Sequence, residues 1–186
     1  MSAESSEVVK VLTEQHEELK ALMARVRSSS EQDRKGGFDQ LRCLLAAHEA
    51  AESEVVHRVA CRDLGTDDHV VTERLAEEDQ AGTAVARLEQ LEVTSEEFAS
   101  EFATFEKAVI AHAEAEEHKE LPAVAGRLDA RQEHEMVAAL SQVAGLASQA
   151  NRSVANGDSF AEMLQASRDH FKRSSADALA ATAERS

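Results

Sequence analysis

His16, His48, Glu52, Glu78, His112 and Glu116 stand where the apolar rhythm of their segments calls for leucine or valine. In "LLAAHEAAESEVV", residues 44–56, His48 and Glu52 continue the spacing of Phe38, Leu41 and Leu45. A carboxylate buried without a partner costs several kcal/mol or takes up a proton. Six such groups in one interior must compensate one another or bind something. Histidine and glutamate at i and i+4 share a helix face, with Cβ atoms about 5–6 Å apart, so both reach one point. "HEAAE" at 48–52 and "HAEAE" at 112–116 both have that spacing. Two such pairs on separate helices, joined by single ligands from two others, are how helical bundles build dinuclear metal sites. A lone seam histidine is ordinarily a hydrogen-bonded core residue, and a lone H-x-x-x-E is often a surface pair. The weight therefore rests on the set.

Four helices must position these groups. The first spans about residues 6–27, with Val9, Leu12, His16, Leu19, Met23 and Val26 at alternating steps of three and four. "SSSEQDRKGG" breaks the pattern. The second spans about 38–62, with the seam Phe38, Leu41, Leu45, His48, Glu52, Val55, Val59. "LGTDD" closes it, Gly65 suiting a C-terminal cap and Thr66 or Asp67 the next N-cap. The third spans about 68–91 through Val71, Leu75, Glu78, Val85 and Leu88. In "TSEE", Thr94 is the expected cap. The fourth spans about 95–120 through Phe98, Phe102, Phe105, Val109, His112 and Glu116, and Pro122 ends or kinks it.

These lengths and short connections predict an all-α fold, an antiparallel up-down-up-down four-helix bundle over residues 1–127. The alanine-rich remainder, 128–186, reads as a helical C-terminal extension packed on the bundle, with helices near 130–150 and 159–181.

Composition excludes several classes. The net charge of −16 argues against nucleic acid and anionic membrane surfaces as partners, since phosphate binding needs a basic face. Cys43 and Cys61, on one helix about 27 Å apart, do not pair there. With no apolar leader in the first 30 residues and no run of 18 apolar residues, a cytoplasmic location is expected. There is no Gly-rich phosphate loop, no Ser-His-Asp order and no C-x-x-C.

The ordered set resembles a known family over roughly residues 8–125. A histidine in the first helix ("EQHEEL"), H-x-x-x-E in the second, an "EE"-containing third helix and H-x-x-x-EE in the fourth are similar to the hemerythrin-like HHE cation-binding domains. The resemblance implies a four-helix bundle holding two iron ions, bridged by two carboxylates and an oxo or hydroxo group. It implies Glu52 and Glu116 as the bridges and His16, His48 and His112 as terminal ligands.

The third helix departs from the pattern. The family usually has "EEH" there, whereas this chain has "AEEDQAG", with Asp79 where the histidine falls. Advancing about 100° per residue from Leu75, Glu78 falls at about 300°, between Val71 at about 320° and Val85 at about 280°. Asp79 falls at about 40°, toward the stripe's edge. Glu78 is therefore the preferred metal ligand and Asp79 the alternative. Three histidines with three carboxylates make an oxygen-rich set, which stabilises ferric over ferrous iron and accepts manganese.

That ligand set argues against reversible oxygen carriage. It favours binding or reduction of a small oxidant, whether O2, peroxide or nitric oxide, in the manner of a di-iron peroxidase or other oxidoreductase. With no tyrosine and no tryptophan, electrons must come from an external donor. The alternative is a non-enzymatic O2, nitric oxide, redox or iron sensor signalling through the extension, and a third is a bundle whose site has decayed. Either a monomer or a homodimer suits the pattern. Of the remaining histidines, His57 is a packing or supporting residue by this reading, His118 is solvated, His69 lies in the first turn of the third helix, and His134 and His170 belong to the extension.

Overall fold

A computed structural model gives the fold, and the structure describes residues 6–58 and 68–183, the side chains at 68–75 and 175–183 excepted. The described residues are helical and include no strand. Helix α1 is Glu7–Ser28, and α2 is Glu31–Ala51, running on into a π-helical turn, π1, over Glu52–His57. Helix α3 is Asp68–Leu88. Helix α4, Glu96–Ala115, continues through a second π turn, π2, over Glu116–Glu120 into α5, Leu121–Ala125. Then come α6 (Ala130–Leu140), α7 (Val143–Val154) and α8 (Phe160–Ala183).

The apolar stripes explain the packing. In α1 the buried residues are Val8, Leu12, His16, Leu19, Met23 and Val26. Val8, four before Leu12, replaces Val9, because the stripe continues by a step of four. Each large side chain so buried is worth about 1.5–3 kcal/mol. In α4, Phe98, Phe102 and Phe105 are buried, and Phe38 of α2 meets Phe98 edge-on at 5.3 Å.

Several boundaries differ from expectation. The break between α1 and α2 is shorter than "SSSEQDRKGG" suggests, and the two glycines lie inside α2. A Cβ on Gly37 would sit 3.4 Å from Val26 Cγ2, an ordinary van der Waals contact, so Gly37 packs directly on α1. The cap of α4 is Ser95, whose hydroxyl accepts from the Phe98 N–H at 3.0 Å, one residue later than Thr94. Pro122 does not end the helix. It sits in the first turn of α5, where no N–H is needed. The expected 130–150 helix is two, α6 and α7. The expectations for Val59, Cys61, Gly65, Thr66 and Asp67, and for the side chains of His69, Val71 and Leu75, lie outside the described residues.

Helix α2 is the hub. Residues 41–51 are all buried, and α2 packs on α1, α7 and α8. Cys43, off the expected seam, is buried with Sγ 3.6 Å from Met163 Sδ of α8. Ala46, Ala47, Ala50 and Ala51 are fully buried. Their small size lets neighbouring helices approach. Thus the C-terminal helices cover the back of the element that carries His48 and Glu52. Among the described residues, no helix is long and apolar enough to cross a membrane.

Candidate metal centre

The six sequence-predicted side chains are placed as follows. His16, His48, Glu52 and Glu116 are no more than 2% exposed, Glu78 is buried, and the His112 side chain is 10% exposed. Asp79 faces outward. His16 Nε2 lies 3.5 Å from Glu52 Oε1 and 3.4 Å from Glu116 Oε2. His48 Nε2 is 3.3 Å from Glu52 Oε2, and His112 Nε2 is 3.3 Å from Glu116 Oε1. Glu52 thus faces His16 and His48, Glu116 faces His16 and His112, and each presents both oxygens to the same interior.

The imidazoles are aimed from behind. His16 Nδ1 is 2.8 Å from Glu117 Oε1, His48 Nδ1 is 3.0 Å from Gln15 Oε1, and His112 Nδ1 is 2.8 Å from Glu77 Oε2. Gln15 is itself held, donating from Nε2 to the Leu140 carbonyl of α6 at 3.1 Å. An acceptor on Nδ1 keeps the proton there and leaves the Nε2 lone pair toward the carboxylates, the arrangement that metal-binding histidines show.

The structure adds residues the α-helical rhythm did not find. Glu49, His57 and Glu120 are buried and join the cluster. His57 Nδ1 is 3.1 Å from Glu78 Oε1, and its Nε2 is 3.3 Å from Glu120 Oε1 and 3.9 Å from Glu116 Oε1. In an α-helix His57 falls about 140° from Glu52, five residues away. The π turn bonds i to i+5 and widens the coil, so five residues come closer to one full turn. Val55 is consequently half-buried, while Val56 and His57 are buried. The two π turns begin at Glu52 and Glu116, the matched carboxylates of the two H-x-x-x-E segments. Interruptions of this kind are frequent at functional sites.

Charge and burial are in tension throughout. Burial opposes a charged His16, but Glu116 and Glu52 outweigh it and raise its pKa to about 10. His112 rises likewise to about 10, burial being overcome chiefly by Glu116. His48 is pushed down to about 3 by burial and the charge of His16. Burial and the neighbouring Glu116 raise Glu52 to about 7, and burial with Glu52 raises Glu49 well above the usual carboxylate range. Glu116 goes the other way: burial is outweighed by His112 and His16, which hold its carboxyl far down. Without a cation, protons supply the balancing charge.

The donor set fits cations. An imidazole nitrogen and a carboxylate oxygen bound to one first-row ion at about 2.0–2.2 Å, at about 90–110° to each other, lie about 2.8–3.6 Å apart. The Nε2-to-carboxylate separations of His16, His48 and His112 cluster there, at 3.3–3.5 Å. They are longer than charge-assisted hydrogen bonds at about 2.7–2.9 Å, which the Nδ1 contacts of His16 and His112 match. His16 Nε2, His112 Nε2 and both oxygens of Glu52 are buried with no hydrogen-bond partner. Native interiors leave few such atoms. In three groups, His16–His48–Glu52, Glu49–Glu52–His112 and His57–Glu116–Glu120, one ligand atom per residue lies within 4.8 Å of the others.

An open groove between α3 and α4, lined in part by Phe105, Val109 and Ala108, reaches the cluster at Glu49 and His112. Residues 7–124 match the family model described as Hemerythrin HHE cation binding domain. Comparison with curated proteins and with solved structures found no match.

Proposed function

The chain belongs to the hemerythrin HHE cation-binding family, and from that premise we propose that it is a non-haem di-iron protein that binds or reduces a small oxidant. The observation that carries the reading is the convergence of His16, His48 and His112 Nε2 on Glu52 and Glu116 in a buried interior. In this reading α1, α2, α3 and α4 form an antiparallel four-helix bundle around the centre. His16 and His48 would hold one cation and His112 the other, with Glu52 and Glu116 reaching both and Glu78 contributing from α3. Iron held there supplies redox electrons and polarises a bound O2, peroxide or nitric oxide.

The chain's own residues set the conditions. Glu117, Gln15 and Glu77 fix the three imidazoles. Burial keeps bulk water from the carboxylates, and the groove at His112 gives a small molecule a way in. No tyrosine or tryptophan exists to be oxidised, so reducing equivalents enter from an external donor. The same absence keeps the near-ultraviolet clear for observation. Protein loaded anaerobically with ferrous iron and mixed with O2, peroxide or nitric oxide develops a ferric or nitrosyl absorption with at least one of them. No spectral change with any of the three contradicts the reading.

One observation favours a sensor as the second reading. Helices α7 and α8 pack on α2, so a shift at His48 or Glu52 has a direct path to the C-terminal helices. Hydrogen exchange in α8 that changes with the iron oxidation state supports it, and exchange insensitive to that state removes it.

A further inference from the structure

Helix α3 supplies no histidine to the cluster among its described residues, yet a fourth imidazole is present. His57, 3% exposed, arrives from π1 instead. Both of its nitrogens face carboxylates of other elements. Nδ1 lies 3.1 Å from Glu78 Oε1, and Nε2 faces Glu120 at 3.3 Å and Glu116 at 3.9 Å. Both ring nitrogens, both oxygens of Glu78 and both of Glu120 are buried without a hydrogen-bond partner.

A plain buried ion pair fits less well. Such a pair is stable only with excellent geometry and saturated hydrogen bonds. Here the 3.3 Å contact to Glu120 is long for a charge-assisted bond and matches the spacing of two ligands on one ion. Glu116 explains where that ion sits. Its Oε2 faces His16, whereas its Oε1 faces His112 at 3.3 Å and His57 at 3.9 Å.

We propose that His57 is the imidazole ligand that α3 does not provide: its Nε2, with Glu120 and Glu116 Oε1, holds the second cation, and Glu78 fixes the ring through Nδ1. The inference rests on the two-cation reading above, and it reassigns Glu78 from ligand to positioning residue. Each cation then has two imidazoles, His16 and His48 for one, His57 and His112 for the other. The shell is richer in nitrogen than three histidines would make it.

Metal-free full-length protein titrated anaerobically with Mn2+, read by elemental counting after desalting and by the electron paramagnetic resonance of the ion, tests this. Wild type takes up about two ions. Glu120→Gln, which keeps the side chain's shape, and His57→Gln keep one tight ion and weaken the second at least tenfold. Glu78→Gln keeps both and weakens the second by about 10–100-fold, the usual range for an orienting partner. Two ions bound by Glu120→Gln with wild-type affinities overturn the assignment, whether or not His57→Gln folds. Crystals of the Mn2+ form give an independent answer. An anomalous peak within coordination distance of His57 Nε2 supports the assignment, and a second peak served only by His112, Glu49 and Glu52 overturns it. Wild type that binds no ion sinks the metal-centre reading itself, a distinct outcome.

Discussion

Glu117 Oε1 stands 2.8 Å from His16 Nδ1, although Glu117's own neighbour in sequence, Glu116, faces the other nitrogen of the same ring at 3.4 Å. One dipeptide of π2 therefore grips both sides of a histidine on α1. The arrangement recurs: Gln15, beside His16, holds His48, and Glu77, beside Glu78, holds His112. In each case the residue that holds a histidine's Nδ1 is the sequence neighbour of another member of the buried cluster.

Loss of these orienting partners should weaken metal binding without unfolding the chain. Gln15→Ala and Glu117→Gln are each expected to cost about 10–100-fold in affinity, measured by competition with a chelator of known strength, while helical circular dichroism stays at the wild-type level. Unchanged affinity in both variants would mean the Nδ1 contacts are incidental.

Asp79 and Glu78 differ in burial, and the consequence is direct. Asp79 is exposed and Glu78 is buried against His57. Asp79→Ala should leave metal content at the wild-type level, and Glu78→Ala should lower it, as elemental analysis of the purified proteins reads. The reverse pattern would place the α3 contribution at Asp79.

Glu116 carries the heaviest load, facing His16, His57 and His112. Removing one partner of a buried charge pair costs about 3–5 kcal/mol. Glu116→Ala should destabilise the metal-free protein by roughly that amount in urea unfolding and abolish retention of both cations.

The pH dependence has a defined sign. His16 and His112 stand at about 10 and His57 at about 11 when folded, raised from 6.5. For His57, burial lowers the value, but Glu120 and Glu78 outweigh it. The stabilisation these imidazoliums give is fully present below pH 6.5 and is lost as pH climbs through 10–11. Metal-free protein should therefore lose stability between about pH 7 and 10. Cations must displace those protons, so metal uptake releases protons and apparent affinity rises over the same interval. Urea melts with chelator at several pH values, and titrations in weakly buffered solution, check both.

A packing prediction stands apart from the metal. Gly36 lies in the interior of α2, and a Cβ there meets nothing within 4 Å. Gly36→Ala should stabilise the protein by about 0.5–1 kcal/mol, seen as a higher melting temperature with unchanged metal content.

Much of the buried cluster was legible from one-dimensional periodicity, and the omissions share a cause. His16, His48, Glu52, Glu78, His112 and Glu116 announce themselves because a straight α-helix puts them on its apolar stripe. His57 does not, because its orientation depends on a π turn that 3.6-residue periodicity cannot represent. Glu49 sits one residue off the seam of α2 and is buried because the burial of that helix extends all around. Gln15, Glu77 and Glu117 act across helices, so no spacing within one segment reveals them. The burial of Cys43 was hidden because α8 covers a face of α2 that a single amphipathic stripe leaves to solvent.

The central claim is that cations neutralise the buried carboxylates. Elemental analysis of protein purified from iron-supplied cells, with the iron counted per chain, tests it most directly. The account predicts about two irons per chain, removed by chelator and restored by ferrous iron. Protein that emerges folded with no bound metal, and takes up none when iron or manganese is offered, would contradict it.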